Sequence, residues 1–198
     1  MMLKLVIFGL AGLVGIVLAI VAVGFLIPKQ HVASRALVLR QKPEDVFALI
    51  SDFKSAPTWR SGVRQVELLP EANGHVRFRE IGSTGALTME VTQWNPPRRM
   101  VTRIADKGLP FGGSWIFEIA PTAGGCQLNI TERGEIYNPV FRFVSRFILG
   151  YERTLNTYLQ SVSRKFGENT APMPGMATTL QQDLDEKAFN AHRQRAVR

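Results

Sequence analysis

Between Leu5 and Ile27 the chain runs for 23 residues with only apolar side chains and glycine. As a helix rising about 1.5 Å per residue such a run covers about 34 Å, enough to cross a hydrocarbon core of about 30 Å. A cleavable signal peptide has a shorter apolar region, about 7 to 15 residues, followed by small residues at the cut. Ala22-Val23-Gly24 mimics that site, but Phe25-Leu26-Ile27 continue the apolar run directly behind it. The expectation is therefore an uncut, single-pass membrane anchor over residues 1–28. Ala11, Gly15 and Ala19 form a small-residue stripe that either brings two such helices together or reflects the ordinary composition of membrane helices; the oligomeric state stays open. Lys4 lies on one side of the run and Lys29, Arg35, Arg40 and Lys42 on the other, which places the following domain in the cytoplasm by the positive-inside rule.

Downstream, the pattern changes to short alternating segments. Val32 to Arg40 reads as a strand. Pro43 then suits a first helical position, Glu44 and Asp45 favour a helix start, and Val46, Phe47, Leu49, Ile50 and Phe53 supply an apolar face. A second helical piece from Lys54 to Arg60 carries Pro57 and Trp59. Six strands follow, at Val63 to Leu69, His75 to Ile81, Ala86 to Trp94, Arg99 to Ala105, Ser114 to Ile119 and Gln127 to Glu135, separated by Gly-, Asn- and Pro-rich turns as in an antiparallel meander. Asn138 and Pro139 open a long helix running to about Phe166, with a stripe of Val140, Val144, Phe147, Tyr151, Leu155, Leu159, Val162 and Phe166. Its first half is apolar nearly all round. Residues 168–198 read as a mostly disordered tail with a weak helix around Leu180 to Ala191. The 198 residues thus hold one folded domain, residues 29–167, behind the anchor.

The fold class is α+β: a seven-stranded antiparallel curved sheet around a long C-terminal helix, preceded by one transmembrane helix. That order resembles the START-like helix-grip superfamily, SRPBCC, and within it the polyketide cyclase/dehydrase and coenzyme Q-binding type. The resemblance spans about Val32 to Phe166. It rests on Lys42-Pro43-Glu44-Asp45-Val46-Phe47, Asp52-Phe53 with Trp59, Asn95-Pro96-Pro97-Arg98-Arg99, Leu109-Pro110-Phe111-Gly112-Gly113-Ser114-Trp115 and Ile130-Thr131-Glu132. None of these is a catalytic signature, and the superfamily hosts lipid carriers, receptors, cyclases and chaperone cofactors alike.

The resemblance implies an apolar cavity between sheet and helix. Strand alternation independently puts Leu87, Met89 and Val91, then Trp115, Phe117 and Ile119, then Leu128 and Ile130 on one continuous inner face. The large aromatics there either fill the interior or line a cleft. The surplus of apolar surface at the start of the long helix, beside a loop at Asp106 to Gly113 that reads as a lid, favours the cleft. The residues expected to line it are Trp59, Phe78, Met89, Leu109, Phe111, Trp115, Phe117, Phe143, Phe147 and Tyr151.

Other chemistry finds little support. The three histidines, His31, His75 and His192, are too scattered for a metal site, and no cofactor is expected. No phosphate-cradling loop or nucleophile elbow is present. Cys126 is the single cysteine and reads as a small buried side chain. Of the net charge of +8, all but one unit belongs to the soluble part, because Lys4 is the only charged side chain before Lys29; it is spread without interleaved aromatics, so no nucleic-acid partner is expected. Glu80 and Glu132 share the parity of Phe78 and Ile130, and a carboxyl group in such a cavity can act as acid or base, although cross-strand pairing with arginines also accounts for them. The expected function is membrane-tethered binding or transport of a hydrophobic small molecule, lipid- or quinone-like, with the lipid bilayer as the second partner. The alternatives are a polyketide cyclase or dehydratase using a cavity carboxylate, and a protein-interaction module.

Overall fold

The computed structural model describes residues 2–72, 74–83 and 85–177. The apolar run forms α1 (Met2–Leu26), whose stretch Val6–Leu26 is long and apolar enough to cross a membrane and is largely exposed, with Gly24 near its end buried. Only Ile27–Lys29 separate it from β1 (Gln30–Leu39). Pro43 starts α2 (Pro43–Ser51), which buries Val46, Phe47 and Ile50. A 3-10 turn, Phe53–Thr58, follows, with the Asp52 carboxylate accepting from the Ser55 N–H.

The meander consists of β2 (Val63–Ala72), β3 (His75–Gly82), β4 (Gly85–Asn95), β5 (Arg99–Ile104), β6 (Phe111–Thr122) and β7 (Gly125–Ile136). Each pairs antiparallel with the next, and β1 closes the order beside β7, from Gln30↔Glu135 to Leu39↔Cys126. The inner face expected from alternation is the face that packs: Val91, Phe117, Ile119, Leu128 and Ile130 are buried, with Met89 and Trp115 packed against them.

The long helix is not continuous. Asn138 caps α3 (Pro139–Val144) through its side-chain oxygen, 3.0 Å from the Phe141 nitrogen. Ser145–Leu149 then widens into a π turn, closed by the Gly150 N–H on the Ser145 carbonyl at 3.0 Å, and Gly150 sits at φ 73°. That left-handed conformation ends a helix. After it α4 (Arg153–Lys165) restarts and buries Leu155, Tyr158, Leu159 and Val162 at the expected spacing of three and four. The apolar periodicity ran across Gly150, but the backbone does not.

The sheet also has eight strands rather than seven. Residues 168–177, expected to be disordered, return along the outer edge, where β8 (Met173–Pro174) pairs with Ala36 and Arg35 of β1. The Arg35 guanidinium donates to the Pro172 carbonyl at 2.9 Å, the Asn129 amide donates to the Met176 carbonyl at 2.9 Å, and the Glu168 carboxylate accepts from the Arg40 N–H at 3.1 Å. Backbone and side-chain polar groups thus hold a segment whose apolar residues follow no helical or strand periodicity. The weak helix read at Leu180 to Ala191 lies outside the described residues.

The core occupies one end of the sheet. Leu37, Leu39, Val46, Cys126, Leu128, Leu155, Leu159 and Val162 are essentially inaccessible and fill the space between β1, β7, α2 and α4. Toward the other end, where β1 begins and β7 finishes, the same face is hollow.

Candidate functional site

The hollow end is a cavity of about 580 Å³. Its floor comes from Ile50 and Phe53 beside α2, Phe78 of β3, Met89 of β4, Met100 of β5, Trp115 and Phe117 of β6, and Tyr158 of α4. The aromatic rings are interlocked. Phe53 stacks on Phe78 at 4.0 Å between centroids, and Tyr158 meets Trp115 edge-on at 5.5 Å and Phe117 at 5.6 Å. Edge-on and stacked contacts of this kind fix ring positions beyond what apolar burial alone achieves, so the floor is a shaped surface. The rim is formed by Phe111–Ser114 of β6 and by Phe141, Ser145, Leu149, Gly150 and Tyr151. Phe111 and Phe141 face each other there at 6.4 Å.

Two polar clusters interrupt the apolar wall. Arg60, at the end of the 3-10 turn, pairs with Glu80 of β3 and holds its guanidinium carbon 4.8 Å from the centre of the Tyr158 ring. Burial pushes the Tyr158 phenol well above its ordinary range, partly opposed by the Arg60 charge, so the hydroxyl stays protonated at neutral pH. The second cluster is His31 of β1 with Glu132 of β7, imidazole Nε2 to carboxylate oxygen 3.4 Å, and Tyr151 stacked on the imidazole at 3.9 Å. The imidazole also lies against Gly134, where a Cβ would collide with the ring. His31 is thus held close to both an aromatic ring and the β7 backbone.

Of the expected lining residues, Phe78, Met89, Phe111, Trp115, Phe117 and Tyr151 are brought together around the cavity, as are both carboxylates, Glu80 and Glu132. Trp59 stands behind the wall, edge-on to Tyr158 at 5.6 Å. Leu109 is half-buried in a shorter loop than expected, because β6 begins at Phe111 and takes Phe111–Gly113 into pairing with Gly134–Ile136. Gly113 is required at that approach: its φ is 136° and a Cβ would strike the Arg133 carbonyl. Phe143 and Phe147 pack on each other at 5.0 Å, Phe147 is 60% exposed, and neither lines the cavity, whereas Phe141, Ser145 and Leu149 of the same stretch do.

Several wall residues were not anticipated. His31 shares the parity of Leu37 and Leu39 on β1, so alternation contained the signal that it faces inward. Tyr158 sits one turn after Leu155 in the α4 pattern and was equally readable. Arg60 carried no such signal, since its position depends on how the 3-10 turn packs against β3.

A curved antiparallel sheet gripping a helix over an apolar, aromatic-walled cavity defines the helix-grip class. Within that class, the sequence profile of the polyketide cyclase/dehydrase and lipid transport family matches residues 31–169, and the chain belongs to that family. No curated protein sequence matches the chain. Among solved structures it is similar to the Zhui aromatase/cyclase of a Streptomyces species, at 13% identity and TM-score 0.57 over 69% of this chain and 93% of that one. It is similar to norcoclaurine synthase of Thalictrum flavum at 11% identity and TM-score 0.55, over 69% and 93%. The di-domain aromatase/cyclase StfQ of the steffimycin biosynthetic pathway aligns at 13% identity and TM-score 0.53, and the chain spans about half of that protein, 52%. At such identities the likeness is one of fold.

Proposed function

We propose that the protein binds or transports a hydrophobic small molecule, lipid- or quinone-like, at a membrane surface. One observation carries the reading: an apolar, aromatic-walled cavity of about 580 Å³ whose rim residues include Phe141 and Leu149, on the segment packed beside the end of α1. That volume falls within the range of about 300 to 1,000 Å³ typical of small-molecule sites. In this reading α1 is an uncleaved single-pass anchor and the domain lies on the cytoplasmic side, which the basic residues after the anchor favour. Tethering raises the local concentration of a membrane-dissolved ligand at the cavity mouth. Native mass spectrometry of the full chain released from membranes tests it: a lipid-like mass bound at one copy per chain is expected. A chain that emerges empty and takes up no added quinone or phospholipid contradicts it.

A second reading, a cyclase or dehydratase, is favoured by Glu80, Glu132 and His31 all facing the cavity. The family and the aromatase/cyclase relatives are consistent with it. Turnover of a polyketide-like substrate that is lost in Glu132→Gln, with binding retained, would establish it over simple carriage.

A further inference from the structure

The region joining α1 to the domain has no slack. Gly24, in the last turn of α1, packs so closely on α3 that a Cβ there would collide with the Pro139 carbonyl. Arg142 of α3 is 4% exposed, donates to the Ile27 carbonyl at 2.8 Å and to the Tyr137 carbonyl at 3.3 Å, and lies 5.9 Å from the Phe25 ring. The Ile136 N–H donates to the Lys29 carbonyl at 2.8 Å. A cation at the C-terminal end of a helix, among its free carbonyls, is favourably placed, so α1 and α3 form one rigid corner.

Beside that corner the chain exposes large apolar side chains in close succession. Phe147 is 60% exposed, Ile148 68% and Leu149 42%, with Val140 and Phe141 near 40%. Phe25 and Leu26 at the end of α1 are exposed as well. Apolar surface of this kind, adjoining a helix of membrane-spanning length, has a natural cover in the acyl chains at the bilayer boundary. The flanking exposed cations Lys29, Arg146 and Arg153 suit the headgroup level, with Glu152 held near Arg35 at 3.5 Å and Glu135 bonded to the Tyr137 hydroxyl at 2.8 Å.

We infer that Val140–Leu149 is a second membrane contact, a monotopic patch that dips into the leaflet from which α1 emerges and sets the cavity rim against the lipid. The inference rests on α1 being a bilayer anchor. It adds that the domain is docked rather than swinging on its tether. Phe141 and Leu149 belong to both the exposed patch and the cavity rim, so a ligand passes between acyl chains and cavity without crossing bulk water. The break at Gly150 is what turns this stretch outward, away from the sheet that α4 covers.

The test uses the full chain in phosphatidylcholine vesicles with an environment-sensitive fluorophore on single introduced cysteines, the buried Cys126 remaining unlabelled. Ile148→Cys and Phe147→Cys report the patch, Val14→Cys reports the anchor, and Gly124→Cys sits at the far end of β7, about 35 Å away at the usual rise per residue. Spin-labelled phospholipids with the quencher near the headgroup should cause loss of fluorescence at positions 147 and 148. Quenchers near the chain ends should act most strongly at position 14, and position 124 should answer only to aqueous iodide. If positions 147 and 148 answer only to iodide while position 14 answers to lipid, the docking is wrong and the anchor stands. Protection of 147 and 148 from both quenchers would mean a protein surface covers them, which also overturns the docking. If position 14 is not reached by any lipid quencher, the anchor reading itself fails.

Discussion

The two halves of the C-terminal helical stretch differ in how their apolar residues are spaced, and they end in opposite environments. In α4 the apolar residues recur at three and four, with Asn156, Thr157, Gln160 and Arg164 between them, and one face buries completely. From Pro139 to Leu149 apolar residues occur on all sides, so no single face can satisfy them, and Phe147 and Ile148 remain exposed. Periodicity therefore measures how much of a helix the sheet can cover, whereas apolar content alone does not. The surplus in the first half is surface intended for something other than the sheet.

This contrast sets the expected effects of substitution. The largest concerns the packed end, where Cys126 is inaccessible and burial, reinforced by the nearby carboxylates Glu168, Glu44 and Asp45, pushes its thiol up to about 11. At pH 8 only about one thiol in a thousand is then ionised, so alkylation of the native protein should be at least about a hundredfold slower than of the unfolded chain. Because the folded thiol holds its proton more tightly, this group's contribution to stability is intact below about pH 9 and is lost as pH rises toward 11. Mass-spectrometric labelling against time would check the rate; rapid native labelling would show that the end is not packed. Leu159→Ala, a fully buried α4 position, should cost about 2–5 kcal/mol of stability, read from denaturant unfolding of the full chain in detergent.

Effects should shrink on the open side of the break. Gly150→Ala forces a side chain into a left-handed conformation and should cost about 1–2 kcal/mol, seen as a lowered Tm. Phe147→Ala should change stability by no more than about 0.5 kcal/mol, since most of the ring already lies outside the domain. A loss at Phe147 as large as that at Leu159 would erase the distinction between the halves.

Much of this was legible in the sequence. Alternation identified the inner face, because a strand buried on one side repeats every second residue, and the long apolar N-terminal helix followed from length and composition. The break at Gly150 was missed because the stripe from Phe147 to Tyr151 keeps helical spacing across it, and a single glycine inside a helical pattern does not announce a left-handed turn. The return of residues 168–177 was missed for a different reason. Those residues bind through backbone carbonyls and amides to Ser34, Arg35 and Asn129, and apolar patterning carries no trace of such contacts. In the cavity wall, residues fixed by strand parity could be read, while Arg60 depends on the packing of an irregular turn.

The cavity is tested most directly by titrating the full chain in nanodiscs with a fluorescent apolar probe, alongside a variant that fills the space. Leu87 lies in the wall, and Leu87→Trp should occupy the cavity; Val38→Trp, at an exposed position of β1, adds the same ring elsewhere. Saturable one-to-one binding above the lipid background is expected for the unmodified chain and for Val38→Trp, and its loss for Leu87→Trp. Equal binding by all three, or none beyond that of empty nanodiscs, would contradict a ligand-holding cavity.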